Sequence, residues 1–392
     1  MKIILASHYF SPHIGGIESV VESHAKRLAN RGHEVIVVCS DIDAESMDIM
    51  RDGYRVHRYK AWNPAEKLGA PYPIPNPVNA RKRIVEIFTN SKIDIVHVHG
   101  MNYLTTTAIL RYTPIECPVV LHQHTPFVEY PVPFELIEKA NDRTVGLWNL
   151  RQADHVFCVS RNVRQYVSRI DHSLNPEILV NGINTDEYHP DNGTKQDVFD
   201  CDPDTPVLFS LSRLSEKKGL SVLLDALRIL DRRGQEVHVV IAGDGPMRSV
   251  VEMAANTLDC LEFYGKVTDS KLKRYYAAAD GFLFTSKSGE AFPTLTIMEA
   301  CASGTPVIAS KLSEKAPGMT DGENCVLVEP GDADELVEGI VECANNPKKV
   351  AIMSQKARES AEQHFAIESR IDRLEECYRS VSGTVESKSS SS

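Results

Sequence analysis

Short apolar runs of strand length recur along most of the chain, separated by segments with helical spacing, and this alternation restricts the fold more than any single motif does. In the first half, Lys2–Ala6 (K-I-I-L-A), Glu34–Cys39 (E-V-I-V-V-C), Ile93–His99, Val119–His122 and Ala153–Ser160 read as strands, and Ile178–Val180 as a last strand running into a linker. The second half repeats the pattern at Val207–Leu211, Val237–Ala242, Leu261–Gly265, Gly281–Thr285, Val307–Ala309 and Cys325–Val328. Strand, helix and strand in succession make βαβ units, so the fold class is α/β. A chain of 392 residues exceeds one hydrophobic core and suits two domains.

Composition narrows the function classes. The hydrophobic and charged fractions, 42% and 25%, are those of a globular protein, and a formal net charge of -11 argues against a duplex nucleic-acid partner. Small anionic ligands need only a local positive pocket. Nine cysteines at scattered spacings, with no C-x-x-C pair, point to reduced thiols and a cytosolic setting. No apolar run approaches the roughly 20 residues that span a bilayer. Residues 387–392 form a polar low-complexity tail without apolar surface to bury.

Chemistry-bearing residues gather where strand-like runs end. The first such turn holds Pro12, Gly15 and Gly16, and two glycines let backbone approach a ligand closely. After Val207–Leu211 comes S-R-L-S-E-K-K-G, which places Arg213, Lys217 and Lys218 just ahead of a helix start, a positive pocket suited to a diphosphate. Gly243-Asp244-Gly245-Pro246 forms the next turn, and Lys266-Val267 follows Leu261–Gly265. Ser288–Pro306 (S-G-E-A-F-P-T-L-T-I-M-E-A-C-A-S-G-T-P) carries one carboxylate in a loop, Glu290, and one on an apolar helix, Glu299. Unpaired amides at that helix start favour an anion, so a phosphate bracketed by hydroxyl-accepting carboxylates, as in a nucleotide sugar, is the expected ligand.

Two aromatic, proline-containing stretches, 63–79 and 127–134, read either as packed loops or as walls of an acceptor site. His97, His99, His122 and His124 stand at strand ends, where open α/β sheets bind ligands. Metal binding by them is set aside, because no carboxylate completes a ligand set and one histidine of each pair is expected on the opposite side of its strand.

In this order, P-x-x-G-G, the strand-end histidine, S-R-L-x-x-x-K-G, the G-D-G-P turn and the E…E helix followed by S-G-T-P-V resemble the retaining glycosyltransferases of family four, over Ile3 to about Tyr378. The resemblance implies a GT-B architecture of two Rossmann-like lobes facing a cleft. It divides the chain into an acceptor-side lobe (1–185), a nucleotide-sugar lobe (186–364), a C-terminal helix returning to the first lobe (365–380) and a disordered tail (381–392). It implies transfer of a hexose or N-acetylhexosamine from a nucleoside-diphosphate sugar to a hydroxyl acceptor, without metal or other cofactor. Arg213 and Lys218 would bind the diphosphate, Glu290 would sit by the transferred sugar, and His124 would be the acceptor-side histidine. Donor contacts would come from Gly15, Gly16, Gly243, Lys266, Val267, Phe292, Thr294, Leu295 and Glu299. Two departures stand out: 299 − 290 = 9 leaves eight residues between the glutamates where the family has seven, and Pro293 lacks an N–H where the family often has glycine. A sugar-nucleotide epimerase of the same architecture and a non-catalytic nucleotide-sugar-binding protein are the alternative readings. The expected location is the cytosol, with peripheral contact at the inner membrane face left open and no nucleic-acid partner.

Overall fold

The computed structural model describes residues 1–13, 15–64, 72–127, 134–312 and 316–389. The chain divides into two compact units, Met1–Asn181 with the segment from Glu368 onward, and Gly182–Ile367. In the first unit the order is β1 (Lys2–Ala6), α1 (Gly16–Asn30), β2 (Glu34–Ser40), β3 (Asp48–Arg51), β4 (Tyr54–Tyr59), β5 (Ala61–Trp62), β6 (Ile74–Pro75) and α2 (Pro77–Asn90). It continues with β7 (Ile95–His99), α3 (Leu104–Tyr112), β8 (Val119–Gln123), α4 (Phe134–Asn141), a π-helical turn at Asp142–Gly146, α5 (Leu147–Arg151), β9 (His155–Cys158), α6 (Arg161–Ile170) and β10 (Glu177–Ile178). Eight of these strands form a sheet in the order β10-β9-β8-β7-β1-β2-β4-β3, parallel except for the edge pair β3–β4, and β5 and β6 make a separate antiparallel pair.

The second unit contains α7 (Lys195–Val198), β11 (Val207–Leu211), α8 (Leu220–Arg233), β12 (His238–Ala242), α9 (Arg248–Ala255), β13 (Leu261–Gly265), α10 (Asp269–Ala278), β14 (Gly281–Phe284), α11 (Leu295–Ala302), β15 (Val307–Ser310), β16 (Cys325–Val328), α12 (Ala333–Asn345) and α13 (Pro347–His364). Its six strands run in the order β13-β12-β11-β14-β15-β16, all parallel. Alternate strand residues face opposite layers, because the side-chain period of a strand is two. Leu208, Leu283 and Ile308 pack with α8, α9 and α12, while Phe209 and Phe282 meet Tyr276 of α10. Burial on both sides is why these strands read as unbroken apolar runs.

In each sheet the strand order reverses direction once, between β1 and β7 in the first and between β11 and β14 in the second. At such a point the connections leave to opposite faces and open a crevice at the carboxyl ends of the strands.

The last helix, α14 (Ile367–Ser389), belongs with the first unit. Arg373 bonds Glu177 at 2.6 Å, His33 lies 2.7 Å from Glu375, and Arg31 reaches Asp372 at 2.5 Å. This corrects the expectation of a disordered tail from 381: the helix runs on to Ser389, and Val381 is buried. Serine-rich composition hides this extension.

Candidate active site

In the second unit the loops after β11 and β14 lie on either side of the switch point, and they carry the expected phosphate and sugar residues. After Leu211 the chain turns through Arg213, whose side chain is exposed and has no partner among the described residues. A 3-10 turn at Glu216–Lys218 then leads to Gly219, which caps α8 with φ +70°. A Cβ at Gly219 would lie 1.8 Å from the Thr285 carbonyl oxygen, so no larger residue fits this contact. The Thr285 hydroxyl donates to Lys218 O at 3.0 Å, and Lys287 N donates to Lys217 O at 3.0 Å. These bonds stitch the two loops together. As a result the Lys218 ammonium donates to Glu290 Oε1 at 2.6 Å, in a partly buried ion pair. Two residues 72 positions apart that were singled out separately therefore meet in one pair.

Phe292 is buried at 1% exposure, joined to Pro293 by a cis peptide, and Thr294 caps α11. The Thr294 hydroxyl pairs with that of Thr296 at 3.0 Å and caps none of the first amides of α11, which begin at Leu295. One turn on, Glu299 is partly buried and its Oε2 accepts from the Tyr276 hydroxyl at 3.0 Å; Tyr188 adds a second hydrogen bond. Burial pushes its carboxyl up to about 7, against the stabilising pull of the two phenols.

Gly243 and Gly245 serve the Arg213 loop. Both adopt positive φ, +133° and +155°, and a Cβ would lie 2.0 Å from Ser212 O in the first case and 2.5 Å from Leu214 O in the second. Leu214 N donates to Asp244 O at 2.9 Å, so the G-D-G-P turn buttresses the backbone that presents Arg213. Next to it, Lys266 and Val267 line a hollow of about 380 Å³ with Glu262, Tyr264, Thr268, Lys271 and Tyr275. Lys266 is largely exposed, its ammonium 3.5 Å from Asp244.

In the first unit the same end of the sheet is lined by histidines and aromatics. Gly15 caps α1 in an extended conformation, and a Cβ on it would strike the Glu18 carboxylate at 2.3 Å. Glu18 accepts from His13 at 3.2 Å; burial pushes its carboxyl up, but the His13 hydrogen bond and the nearby His8 outweigh this and hold it below its usual range. The helix start at Gly15 and Gly16 thus has an anion of its own, which the sequence reading did not foresee. His124 is buried, with Nε2 2.8 Å from His99 Nδ1, and burial followed by the surrounding histidines holds it well below its ordinary value, so it is neutral.

The expectation that one histidine of each pair faces away is wrong. Positions 97 and 99, like 122 and 124, differ by two, and a period of two puts both on the same face. All four rings are buried, with centroids 4.3 Å apart for His97 and His99 and 4.5 Å apart for His122 and His124.

The sequence reading also missed several groups beside these. His8 stacks on Tyr103 at 3.9 Å, and Tyr72 lies 5.8 Å from Tyr103. Asn102 donates to Asp142 at 2.5 Å, as does Tyr166, and the Tyr72 hydroxyl donates to Glu138 at 2.6 Å. Burial raises both carboxyls, Glu138 and Asp142. A π-helical turn at 142–146, a device that often re-aims side chains at functional sites, places Asp142 here and has no sequence signature. Of the two aromatic stretches, residues 65–71 and 128–133 lie outside the described residues.

Comparison with known proteins matches this geometry to a family. Residues 14–187 match the model for Glycosyltransferase Family 4, and residues 192–360 match that for Glycosyl transferases group 1. The GDP-mannose-dependent alpha-(1-6)-phosphatidylinositol monomannoside mannosyltransferase of Mycolicibacterium smegmatis is 27% identical over 388 residues, 95% of this chain and 97% of that one. The alpha-monoglucosyldiacylglycerol synthase of Streptococcus pneumoniae is 25% identical over 326 residues, 79% of this chain and 71% of that one. The structure of sucrose-phosphate synthase from Thermosynechococcus elongatus superposes with a TM-score of 0.83 at 22% identity, covering 98% of this chain and 99% of that one. Among the described residues no helix is long and apolar enough to cross a membrane. With the two family models matched in succession over most of its length, the chain belongs to the family 4 glycosyltransferases, enzymes of the GT-B fold.

Proposed function

We propose that this enzyme transfers a hexose or N-acetylhexosamine with retention from a nucleoside-diphosphate sugar to a lipid-borne hydroxyl, without a metal in the chemical step. The observation that carries the reading is the Lys218–Glu290 ion pair at 2.6 Å, at the end of the same loop that exposes Arg213. A diphosphate entering this loop exchanges one carboxylate partner of Lys218 for phosphate oxygens and gains Arg213. In the reaction the bond from the anomeric carbon to the diphosphate oxygen breaks, and a bond to the acceptor oxygen forms on the same face. The acceptor proton passes to the departing phosphate. Negative charge grows on that phosphate, so preorganised cations act where they contribute most. Glu290, released from Lys218, faces the sugar as a positioning and charge-stabilising group. Glu299 accepts from ribose hydroxyls, the base rests against Lys266-Val267, and His124 serves the acceptor as a neutral hydrogen-bonding partner.

The lipid acceptor is supported by the names of the two relatives, both of which specify glycolipids. It is also supported by α4, which exposes Leu136 and Ile137 at 63% and 60%, with Lys139 on the same helix, a surface fitted to peripheral contact with a bilayer. The test is transfer from a panel of nucleotide sugars to diacylglycerol and phosphatidylinositol acceptors in vesicles, with NMR of the product anomer. Lys218→Ala should lower turnover about 10²-fold, the effect of removing one such electrostatic contact of ~3 kcal/mol. Unchanged turnover removes the diphosphate assignment, an inverted product removes the retaining one, and an epimer formed from donor alone turns the reading to an epimerase.

A further inference from the structure

The first unit contains a cluster that the transfer chemistry leaves unexplained. His97, His99 and His122 each offer a ring nitrogen, and these three atoms lie within 4.8 Å of one another. The side chains are sealed from solvent, at 0%, 0% and 1% exposure. Each ring is held from its far side. His97 Nδ1 lies 2.7 Å from the Tyr378 hydroxyl, His99 Nδ1 lies 2.8 Å from His124 Nε2, and His122 Nε2 donates to the Leu179 carbonyl at 3.2 Å. The opposite nitrogens, His97 Nε2, His99 Nε2 and His122 Nδ1, are buried without a hydrogen-bond partner among the described residues.

For His122 the tautomer is forced. A carbonyl accepts only, so Nε2 carries the proton and Nδ1 is a bare lone pair in a sealed interior with no donor to meet it. Buried polar atoms are nearly always satisfied, and three orphaned nitrogens on three rings that bring ring nitrogens within 4.8 Å of one another call for a common partner. We propose that this partner is a divalent transition-metal ion of the zinc class, bound by His97 Nε2, His99 Nε2 and His122 Nδ1.

The arrangement fits what such ions require. Metal-bound imidazoles ordinarily give their second ring nitrogen to an outer partner that sets tautomer and orientation, and Tyr378, His124 and the Leu179 carbonyl occupy those places. Imidazole nitrogens without carboxylates select zinc, cobalt, nickel or copper and exclude calcium and magnesium. Metal–nitrogen bonds of about 2.0–2.1 Å at tetrahedral angles put donors about 3.3 Å apart, so side-chain rotations draw the trio inward without moving the strands. His24, whose Nδ1 is likewise buried and without a partner among the described residues, has its ring centroid 5.9 Å from that of His99. Ligation through His99 Nε2 makes Nδ1–H the donor to His124 Nε2, which fixes His124 as the Nδ1–H tautomer. The ion is thus a structural element of the first unit that orients His124, and it takes no part in the proposed transfer step.

The test uses tag-free, full-length protein grown with supplemented zinc and dialysed against metal-free buffer. Mass spectrometry of the metal content should find about one zinc per chain, and cobalt-loaded protein should show the visible bands of a tetrahedral nitrogen-ligated centre. His97→Gln with His122→Asn should bring the content below about a tenth of that, with the circular dichroism of a folded protein, while the exposed control His172→Gln keeps it. Wild-type protein that holds less than about a tenth of an equivalent overturns the proposal, as does a folded double variant that retains the full equivalent. If the double variant does not fold, the wild-type cobalt spectrum decides, and absence of the tetrahedral bands overturns the site.

Discussion

Glu299→Gln removes a carboxyl whose protonation is tied to folding. Its ordinary value is 4.5 and in the fold it stands at about 7, raised by burial beneath Tyr188 and Tyr276. The native state therefore holds a proton between these two values that the unfolded chain has released. Stability from this group is complete below pH 4.5 and is lost as pH rises through 7. With 1.36 kcal/mol per unit, a shift of 7 − 4.5 = 2.5 units corresponds to about 3 kcal/mol, an upper bound because the side chain keeps some contact with water. Glutamine does not titrate. Urea unfolding of both proteins from pH 4.5 to 8 should show the stability of wild type relative to Glu299→Gln falling by up to that amount, mostly between pH 5 and 7.5. The same proton governs the donor, since only the ionised carboxylate accepts two ribose hydroxyls. Nucleotide-sugar affinity should thus rise through pH 7 in wild type and stay level in the variant. A stability difference that is the same at pH 5 and pH 8 refutes the reasoning.

Further expectations follow from neighbouring contacts. Tyr276→Phe removes one of the two donors to Glu299 and should cost about 1–2 kcal/mol at pH 8 and less at pH 5, because a phenol stabilises the carboxylate more than the acid; denaturation at the two pH values checks this. Gly219→Ala sets a methyl against Thr285 O at a left-handed backbone position, so a loss of more than about 2 kcal/mol and a lower melting temperature are expected, together with loss of donor binding. An unchanged melting temperature would show that the loop relaxes freely.

How much could be read in advance differs by kind of residue. The run Val207–Leu211 coincides with β11 because burial on both faces leaves a continuous apolar signature, while Leu261–Gly265 and Cys325–Val328, partly buried edge strands, coincide with β13 and β16 as short β-type runs. The edge pair β3–β4 escaped notice: D-I-M-R and Y-R-V-H-R-Y mix charged and apolar groups, and Arg58 is buried only because its guanidinium reaches the carbonyls of Ser46 and Ser11. Glu299 was legible as a carboxylate on an apolar helix. Its raised proton affinity was not, since Tyr188 lies more than a hundred positions upstream.

The cations of S-R-L-S-E-K-K-G, the loop carboxylate Glu290 and the histidines that end β7 and β8 are determined by sequence alone, because local spacing sets which residue types stand at strand ends. That Lys218 closes on Glu290, and that His97, His99 and His122 bring ring nitrogens within 4.8 Å of one another in the first unit, were decided by tertiary structure. Each depends on strands from distant parts of the chain being laid side by side, and on burial, which fixes side-chain charge and orientation only once the layers have closed over them.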